Sequence, residues 1–390
     1  MKKATLLFVI SFLLMNCNVK EENENSESQQ VELKYIKDIN LELDTKTRNW
    51  STSNQYVFDS KSGKEFICVF NGPTNAIDFY DLSGTKFKSV QFPNEGPNSA
   101  GIIHSFLYLN SDSIYLVNNM TNKLFLASSS TKINKTYPLK GFSDSEFTCR
   151  PWPEDGSEMY LSNNHLYIPS IPWYRYDKKP DEYFGKGQLS IDLDLKTGRA
   201  EEKIGFPNKA IFKDKAFPTQ TVSARCSAND EDELVYSFAV DHNVYRFGLE
   251  GNLRGKHFMG TTKGEKNFVA LSNRSKLQDA IEEAVHYANH FYYGRLYFDK
   301  YRKLYYRFVK NGLATEYTKK DFNLGKNPGF KFSLIIADKD FKPLGEINLK
   351  KGVGSGAFII TKKGVMIQAE EPNEDVMKFE FYEIELRNKI

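Results

Sequence analysis

Two histidines four residues apart, His286 and His290, with Glu282 one helical turn earlier, form the best-spaced metal-ligating set in the chain. On a helix the three fall along one face, and two imidazoles with a carboxylate make a Zn²⁺ donor set. The same spacing also describes the solvated polar face of an amphipathic helix. A second cation candidate is Asn229-Asp230-Glu231-Asp232-Glu233. Its clustered oxygens suit Ca²⁺, although it has neither the glycine nor the spacing of an EF-hand. Asp192 and Asp194 share one strand face beside a turn, and so close to the outside they read as solvated rather than catalytic.

Other familiar chemistry is missing from the sequence. There is no G-x-S-x-G, no H-E-x-x-H and no C-x-x-C. Gly251-Asn252-Leu253-Arg254-Gly255-Lys256 is too short for a phosphate-binding loop, and His257 stands where a hydroxyl would meet Mg²⁺. Gly352-Val353-Gly354-Ser355-Gly356 is followed by a strand-like run, Ala357–Thr361, so no helix N-terminus would face a phosphate. Both stretches read as turns. Lys+Arg number 53 against 50 Asp+Glu, which gives no electrostatic case for nucleic acid as a partner.

What remains is recognition chemistry. Trp173-Tyr174-Arg175-Tyr176 lies in the long connection from Pro169 to Gly187, followed by Asp177, Lys178 and Lys179; Trp152 stands in the nearby Cys149–Pro153 loop. Aromatic rings with fixed charges suit a glycan or a peptide. The same rings would also serve as the small core that a long loop needs for itself. His104, His165 and His242 stand at or near the starts of strand-like runs, placed either to reach a channel or to serve as hydrogen-bonded structural groups.

The elements that must position these groups are short strands. Ser105 to Pro138 contains four: Phe106–Leu109, Ile114–Val117, Leu124–Ala127 and the more polar Lys132–Tyr137. Three runs apolar on both faces and a fourth diluted with lysine describe a sheet covered on both sides with one polar outer edge. That unit is the blade of a β-propeller. Comparable groups recur around 54–92, 166–204, 222–258, 294–349 and 358–386. The isolated strand Val31–Leu43 has no hairpin partner nearby, as expected of a segment that completes the last blade and closes the ring. The fold expected is all-β, a six-bladed β-propeller of four-stranded antiparallel blades over 31–390, with one inserted helix at about 275–289. For that helix, Ser275 to Gln278 reads as a capping box, and Leu277, Ala280, Ile281, Ala284 and Ala288 form an apolar stripe.

The first residues belong to targeting rather than to the fold. Lys2 and Lys3 precede an apolar run from Ala4 to Met15, too short for a stable bilayer anchor, which ends at Cys17. Residues 1–16 read as a signal peptide and 17–30, rich in Ser, Gln and Glu, as a tether. Of the remaining cysteines, Cys68, Cys149 and Cys226, at least one is unpaired; two sit in or beside apolar runs, so buried free thiols are expected.

Leu14-Met15-Asn16-Cys17 resembles the bacterial lipobox, which implies lipidation of Cys17, and Lys20-Glu21-Glu22 looks like the surface-export signal of Bacteroidota lipoproteins. Together with Glu95-Gly96-Pro97-Asn98, Asp112-Ser113-Ile114-Tyr115 and the aromatic hairpin from Tyr297 to Phe308, they resemble TolB-like six-bladed propeller lipoproteins of the Bacteroidota, a family whose domain has no assigned function. The resemblance implies a propeller held to the outer membrane by an N-terminal lipid and facing outward, and it supplies no catalytic residues. The expected function is a binding module for a glycan, a peptide or a partner protein, with no cofactor beyond a candidate Ca²⁺ or Zn²⁺. The alternative is a metal-dependent hydrolase or lyase with its site in the propeller channel.

Overall fold

The computed structural model describes residues 30–60, 62–139, 148–212, 215–263 and 267–387. The signal peptide and Cys17, with the tether up to residue 29, lie outside the described residues. The remainder forms six antiparallel sheets. Blade one runs Asn54–Asp59, Lys64–Asn71, Ala76–Asp81 and Lys86–Gln91 from the inside outward. Blade two is Ser105–Asn110, Ser113–Asn118, Lys123–Ala127 and Ile133–Pro138. Blade three has a split inner strand, Cys149–Pro151 and Tyr160–Ser162, against His165–Pro172, then Gln188–Asp194 and Ala200–Gly205. Blade four is Ala224–Ala228, Glu233–Phe238, Asn243–Gly248 and Leu253–Phe258; blade five is Tyr292–Asp299, Leu304–Lys310, Phe332–Asp338 and Pro343–Asn348. Blade six takes Val353–Ile360, Val365–Ala369 and Val376–Arg387, and the outer strand is Gln30–Glu42 from the other end of the chain. Twelve-residue pairing from Gln30↔Arg387 to Glu42↔Val376 joins the two ends, and the ring is closed as the orphan strand implies.

The apolar residues collect between blades. Cys68 and Phe79 of blade one pack with Phe106 and Leu116 of blade two, and Val117 of blade two with Leu166 and Ile191 of blade three. The remaining four seams are built the same way. This is why second and third strands are apolar on both faces while outer strands such as Lys86–Gln91 and Leu253–Phe258 are mostly exposed.

Adjacent inner strands run in the same direction, as the contact between Ser53 Oγ and Ser105 Oγ at 3.1 Å shows for the first two. One face of the ring, the entry face, therefore carries the connections into each inner strand and the loops between second and third strands. The long insertions Trp173–Gly187, 206–223, 259–291 and 311–331 are all of these two kinds. Among the described residues the exit face carries tight hairpins, and the closing strand enters from it at Gln30.

Three readings of local structure change. The inserted helix begins at Ala280, not Ser275: Arg274–Gln278 is a separate 3₁₀ turn, and Asp279 is the cap, accepting from Ile281 N (2.9 Å) and Glu282 N (3.2 Å). Ionised Asp279 beside the positive end of the helix is a better cap than Ser275, whose hydroxyl bonds Asn273 instead. Two further short helices occur, Pro180–Lys186 and Lys319–Asn323, both in entry-face loops. The glycine run at 352–356 is not a turn throughout. The strand Val353–Ile360 starts inside it, with a register shift after Val353, and Gly354 takes φ +101 where a Cβ would come within 2.8 Å of Leu349.

Candidate functional site

The inner strands leave a cavity of about 430 Å³ along the ring axis. It is lined from five of the six blades, with Asn54 and Tyr56, Glu158 and Tyr160, Ser227 and Asn229, Tyr297 and Phe298, and Phe358 among its walls. Its rim is formed by Asp230, Lys300 and Tyr301, which sit on exit-face hairpins, so the cavity opens on that face. The rings of Tyr56 and Tyr301 meet edge to face at 6.3 Å beside the mouth.

The head of the channel is closed by residues 152–159, the insertion that splits the inner strand of blade three. Asp155 N donates to Thr52 O at 2.8 Å, and Cys226 N donates to Ser157 Oγ at 3.2 Å, tying the insertion to blades one and four. Gly156 makes this possible: at φ +73 a Cβ would lie 2.6 Å from Arg295 Cβ. Two arginines in the inner strands of neighbouring blades meet the insertion's acids. Arg225 pairs with Glu154, and Arg295 Nε stands 3.5 Å from Asp155 Oδ2 while its Nη1 donates to Gly356 O. Burial pushes the Asp155 carboxyl above the ordinary carboxylate range, opposed by Arg295, and pushes Arg225 down to about 10.

Glu158 projects into the cavity itself. Its side chain is exposed to the solvent of the cavity, while desolvation by the surrounding walls, with Asp155 adding, raises its carboxyl to about 8 against the opposing charge of Lys300. Beside it Asn54, 4% exposed, has neither amide atom hydrogen-bonded. A buried amide with no protein partner in a polar cavity is satisfied by water or by a ligand.

The structure brings the anticipated site residues together only in part. Glu282, His286 and His290 share a helix face, but Glu282 pairs with Lys319 and Lys276, His286 Nε2 lies 2.9 Å from Val269 O, and His290 Nδ1 lies 2.8 Å from His286 O. In the acidic hairpin, Asp230 pairs with Lys303, Asp232 accepts from Tyr160, Glu233 faces Arg246 and Arg254, and Asn229 Oδ1 caps its own turn. Among the described residues no group of three or more His, Cys, Asp or Glu is placed to hold a metal ion. Asp192 is not solvated but 5% exposed, bridging His165 Nδ1 (2.7 Å) and Lys203 Nζ (2.6 Å), while Asp194 caps the following turn.

That bridge also places His165 on a second strand at the exit face, outside the channel. His242 sits in the entry-face seam between blades four and five, bonded to Tyr293 OH at 2.6 Å and packed on Phe268. His104 lies between blades two and three with its ring 4.6 Å from Trp152, and burial lowers it to about 4. The aromatic loop divides. Tyr176 is buried against Tyr183 and Phe184, Tyr174 packs on the same cluster, and Arg175 pairs with Asp177. Trp173 remains exposed, and Arg150 lies between it and Trp152, at 5.4 and 4.6 Å from the two ring centroids. This stack is on the entry face, opposite the mouth of the cavity.

The residues that sequence reading passed over are Asn54, Asp155, Glu158, Arg225 and Arg295. Their signal was faint but present: Arg225 and Arg295 are charges inside runs that otherwise read as buried strand.

Comparison with known proteins agrees with this architecture. The family described as Domain of unknown function (DUF4221) matches residues 30–348. A crystal structure of a DUF4221 family member from Bacteroides vulgatus is similar with a TM-score of 0.77 at 19% identity, covering 92% of this chain and 99% of that one. A protein from Bacteroides fragilis is similar at a TM-score of 0.51 and 12% identity, covering 94% and 97%. A virginiamycin B lyase from Staphylococcus aureus is more distant, with a TM-score of 0.46 at 11% identity, covering 88% of this chain and 98% of that one. No curated protein matches the chain.

Proposed function

The chain belongs to the DUF4221 family, and from the cavity at the centre of its propeller we propose that it is a binding module of the cell envelope, seating a small polar ligand or the tip of a glycan or peptide in the channel. The observation that carries this is Asn54: a nearly fully buried side chain with both polar atoms unpartnered, facing a cavity that also presents Glu158 and several tyrosines. Its walls mix aromatic and apolar side chains with polar groups, and convergent polar groups in a concave site are what fix a ligand's orientation.

The cavity takes precedence over the aromatic loop as the seat, because Tyr176 is committed to the loop's own core. It also favours binding over metal-dependent hydrolysis or elimination, since the described residues around it include no metal-ligating set. The module is anchored through lipid on Cys17 and displayed outward from the outer membrane, a placement supported by the basic, apolar and cysteine pattern of the first 17 residues.

The test is a binding screen of glycans and peptides by thermal shift on wild type, on Ala228→Trp, which fills the cavity, and on Trp173→Ala. Hits lost in Ala228→Trp and kept in Trp173→Ala support the cavity as the seat. The opposite pattern moves the site to the entry face and sinks this reading.

A further inference from the structure

The acids at the head and rim of the channel each own a cation, with one exception. Glu154 has Arg225, Asp155 has Arg295 and Asp230 has Lys303. Glu158, which faces the cavity directly, has no ion-pair partner among the described residues; Lys300 acts on it from the rim without reaching pairing distance. A carboxyl that lines a concave site and has no ion-pair partner is left open to a cationic ligand. The walls around it are the rings of Tyr56, Tyr160, Tyr297 and Tyr301, whose π faces attract cations. Asn54 lines the same cavity, and its Oδ1 is a neutral acceptor with no hydrogen-bond partner in the protein.

We infer that the cavity seats a protonated amine, with Glu158 as its counter-charge, Asn54 Oδ1 as an acceptor of an ammonium N–H and the tyrosines as its walls. This rests on the cavity being the ligand seat. A neutral sugar would satisfy Asn54 and leave the carboxyl unused; an anion would face Glu158 with Asp155 behind it. An ammonium uses all three features. The groups acting on Glu158 are Asp155 at the head, Lys300 at the rim and Tyr297 in the wall; Arg295 is paired with Asp155, and Asp230 lines the same cavity. On that count, seating a cation draws the proton off Glu158 and releases it to the buffer. Two sources offer this chemistry, a lysine side chain on a peptide and an amino sugar in a glycan.

Calorimetric titration of the purified protein at pH 7 separates them, with N-acetyl-lysinamide and glucosamine as amines against N-acetyl-norleucinamide and glucose as uncharged counterparts. At least one amine is expected to bind tenfold or more tighter than its counterpart, with an enthalpy that varies with the ionisation heat of the buffer. Glu158→Gln, which keeps the shape, is expected to abolish that preference. Circular dichroism checks its fold, and Asn54→Leu provides a second variant with weakened amine binding. Equal binding of amine and counterpart, an unchanged preference in Glu158→Gln, or no binding of either amine at millimolar concentration overturns the inference. If the uncharged probes bind and Ala228→Trp removes them, the cavity is still the seat and only the amine is wrong. If Ala228→Trp changes no binding, both readings fall.

Discussion

The guanidinium of Arg307 lies 3.7 Å from the ring centroid of Tyr293, fully buried in the seam between blades four and five. All five of its N–H donors are used: Nε on Ser237 Oγ, Nη1 on His242 O and Met259 O, Nη2 on Phe238 O and Asp241 O. Four of these acceptors are main-chain carbonyls of blade four, so one side chain from blade five holds its neighbour's loops. Tyr293 stands on the neighbouring strand of the same blade, so the ring and the guanidinium close the seam together. Arg302, held by Asp299 of its own blade, makes the equivalent tie from blade five to blade six through the carbonyls of Thr361, Lys362 and Gly364.

Arg307→Met strands those acceptors in a dry seam. The expected loss is about 3–5 kcal/mol, the range for breaking a buried charged network by removing one partner. Thermal melting checks it, and Arg307→Lys should recover only part, since an ammonium has three donors for five acceptors. A melting temperature unchanged in Arg307→Met would mean the blades do not rely on this tie.

Glu158 predicts a pH dependence with a definite sign. Its carboxyl is raised to about 8 in the fold from an ordinary 4.5, so between these values the native state holds a proton that the unfolded chain has lost. Stability contributed by the protonated form is complete below pH 4.5 and falls as the pH rises towards 8. Denaturant unfolding of wild type and Glu158→Gln across pH 5–8 checks this. Wild type should lose stability relative to the variant as pH increases, and parallel curves would show that the carboxyl is not held in that environment.

The blades were legible because their second and third strands, buried on both faces, read as continuous apolar runs such as Phe66–Phe70 and Leu304–Val309. Inner strands were harder, since one of their faces lines a polar channel. Asn54–Asp59 falls within the blade expected at 54–92 without the apolar run that marks its neighbours, and the three-residue pieces Cys149–Pro151 and Tyr160–Ser162 fall below any periodicity. The site suffered most. Asn54, Glu158, Arg225 and Arg295 come from four blades and are adjacent only once the ring is closed, whereas the locally clustered His286/His290 and Asp230–Glu233 attracted attention and turn out to be satisfied by their own neighbours.

Cysteine chemistry follows from burial. Cys68, Cys149 and Cys226 are all buried and unpaired, and desolvation raises each thiol, Cys226 to about 12. Neither access nor thiolate is available for reaction. A thiol-specific reagent such as DTNB should titrate none of the three in the native protein and all three in denaturant. Rapid reaction of Cys226, which lines the cavity, would show that the channel opens wider than its present walls.

Lys310 gives the opposite pH slope and a means of testing the entry-face helix. It is 2% exposed, donates to Tyr287 O and Ala288 O at the end of the helix Ala280–Asn289, and sits among the rings of Tyr287, Tyr292 and Phe330. The carbonyl end of a helix and three π faces favour an ammonium. Burial acts against it and pushes the group down to about 7 from an ordinary 10.5. Between those values the unfolded chain binds the proton and the native state does not, so stability rises with pH from 7 to 10.5 by up to about 1.4 kcal/mol per unit. Lys310→Met should remove that rise while leaving the Glu158-linked fall below pH 8 in place. Because Tyr287 on the same helix faces Arg225 and Arg295 at the channel head, loosening this helix should also raise hydrogen exchange in residues 152–159. A variant that melts normally, keeps the rise and leaves exchange unchanged would show that the helix end is held by its packing alone.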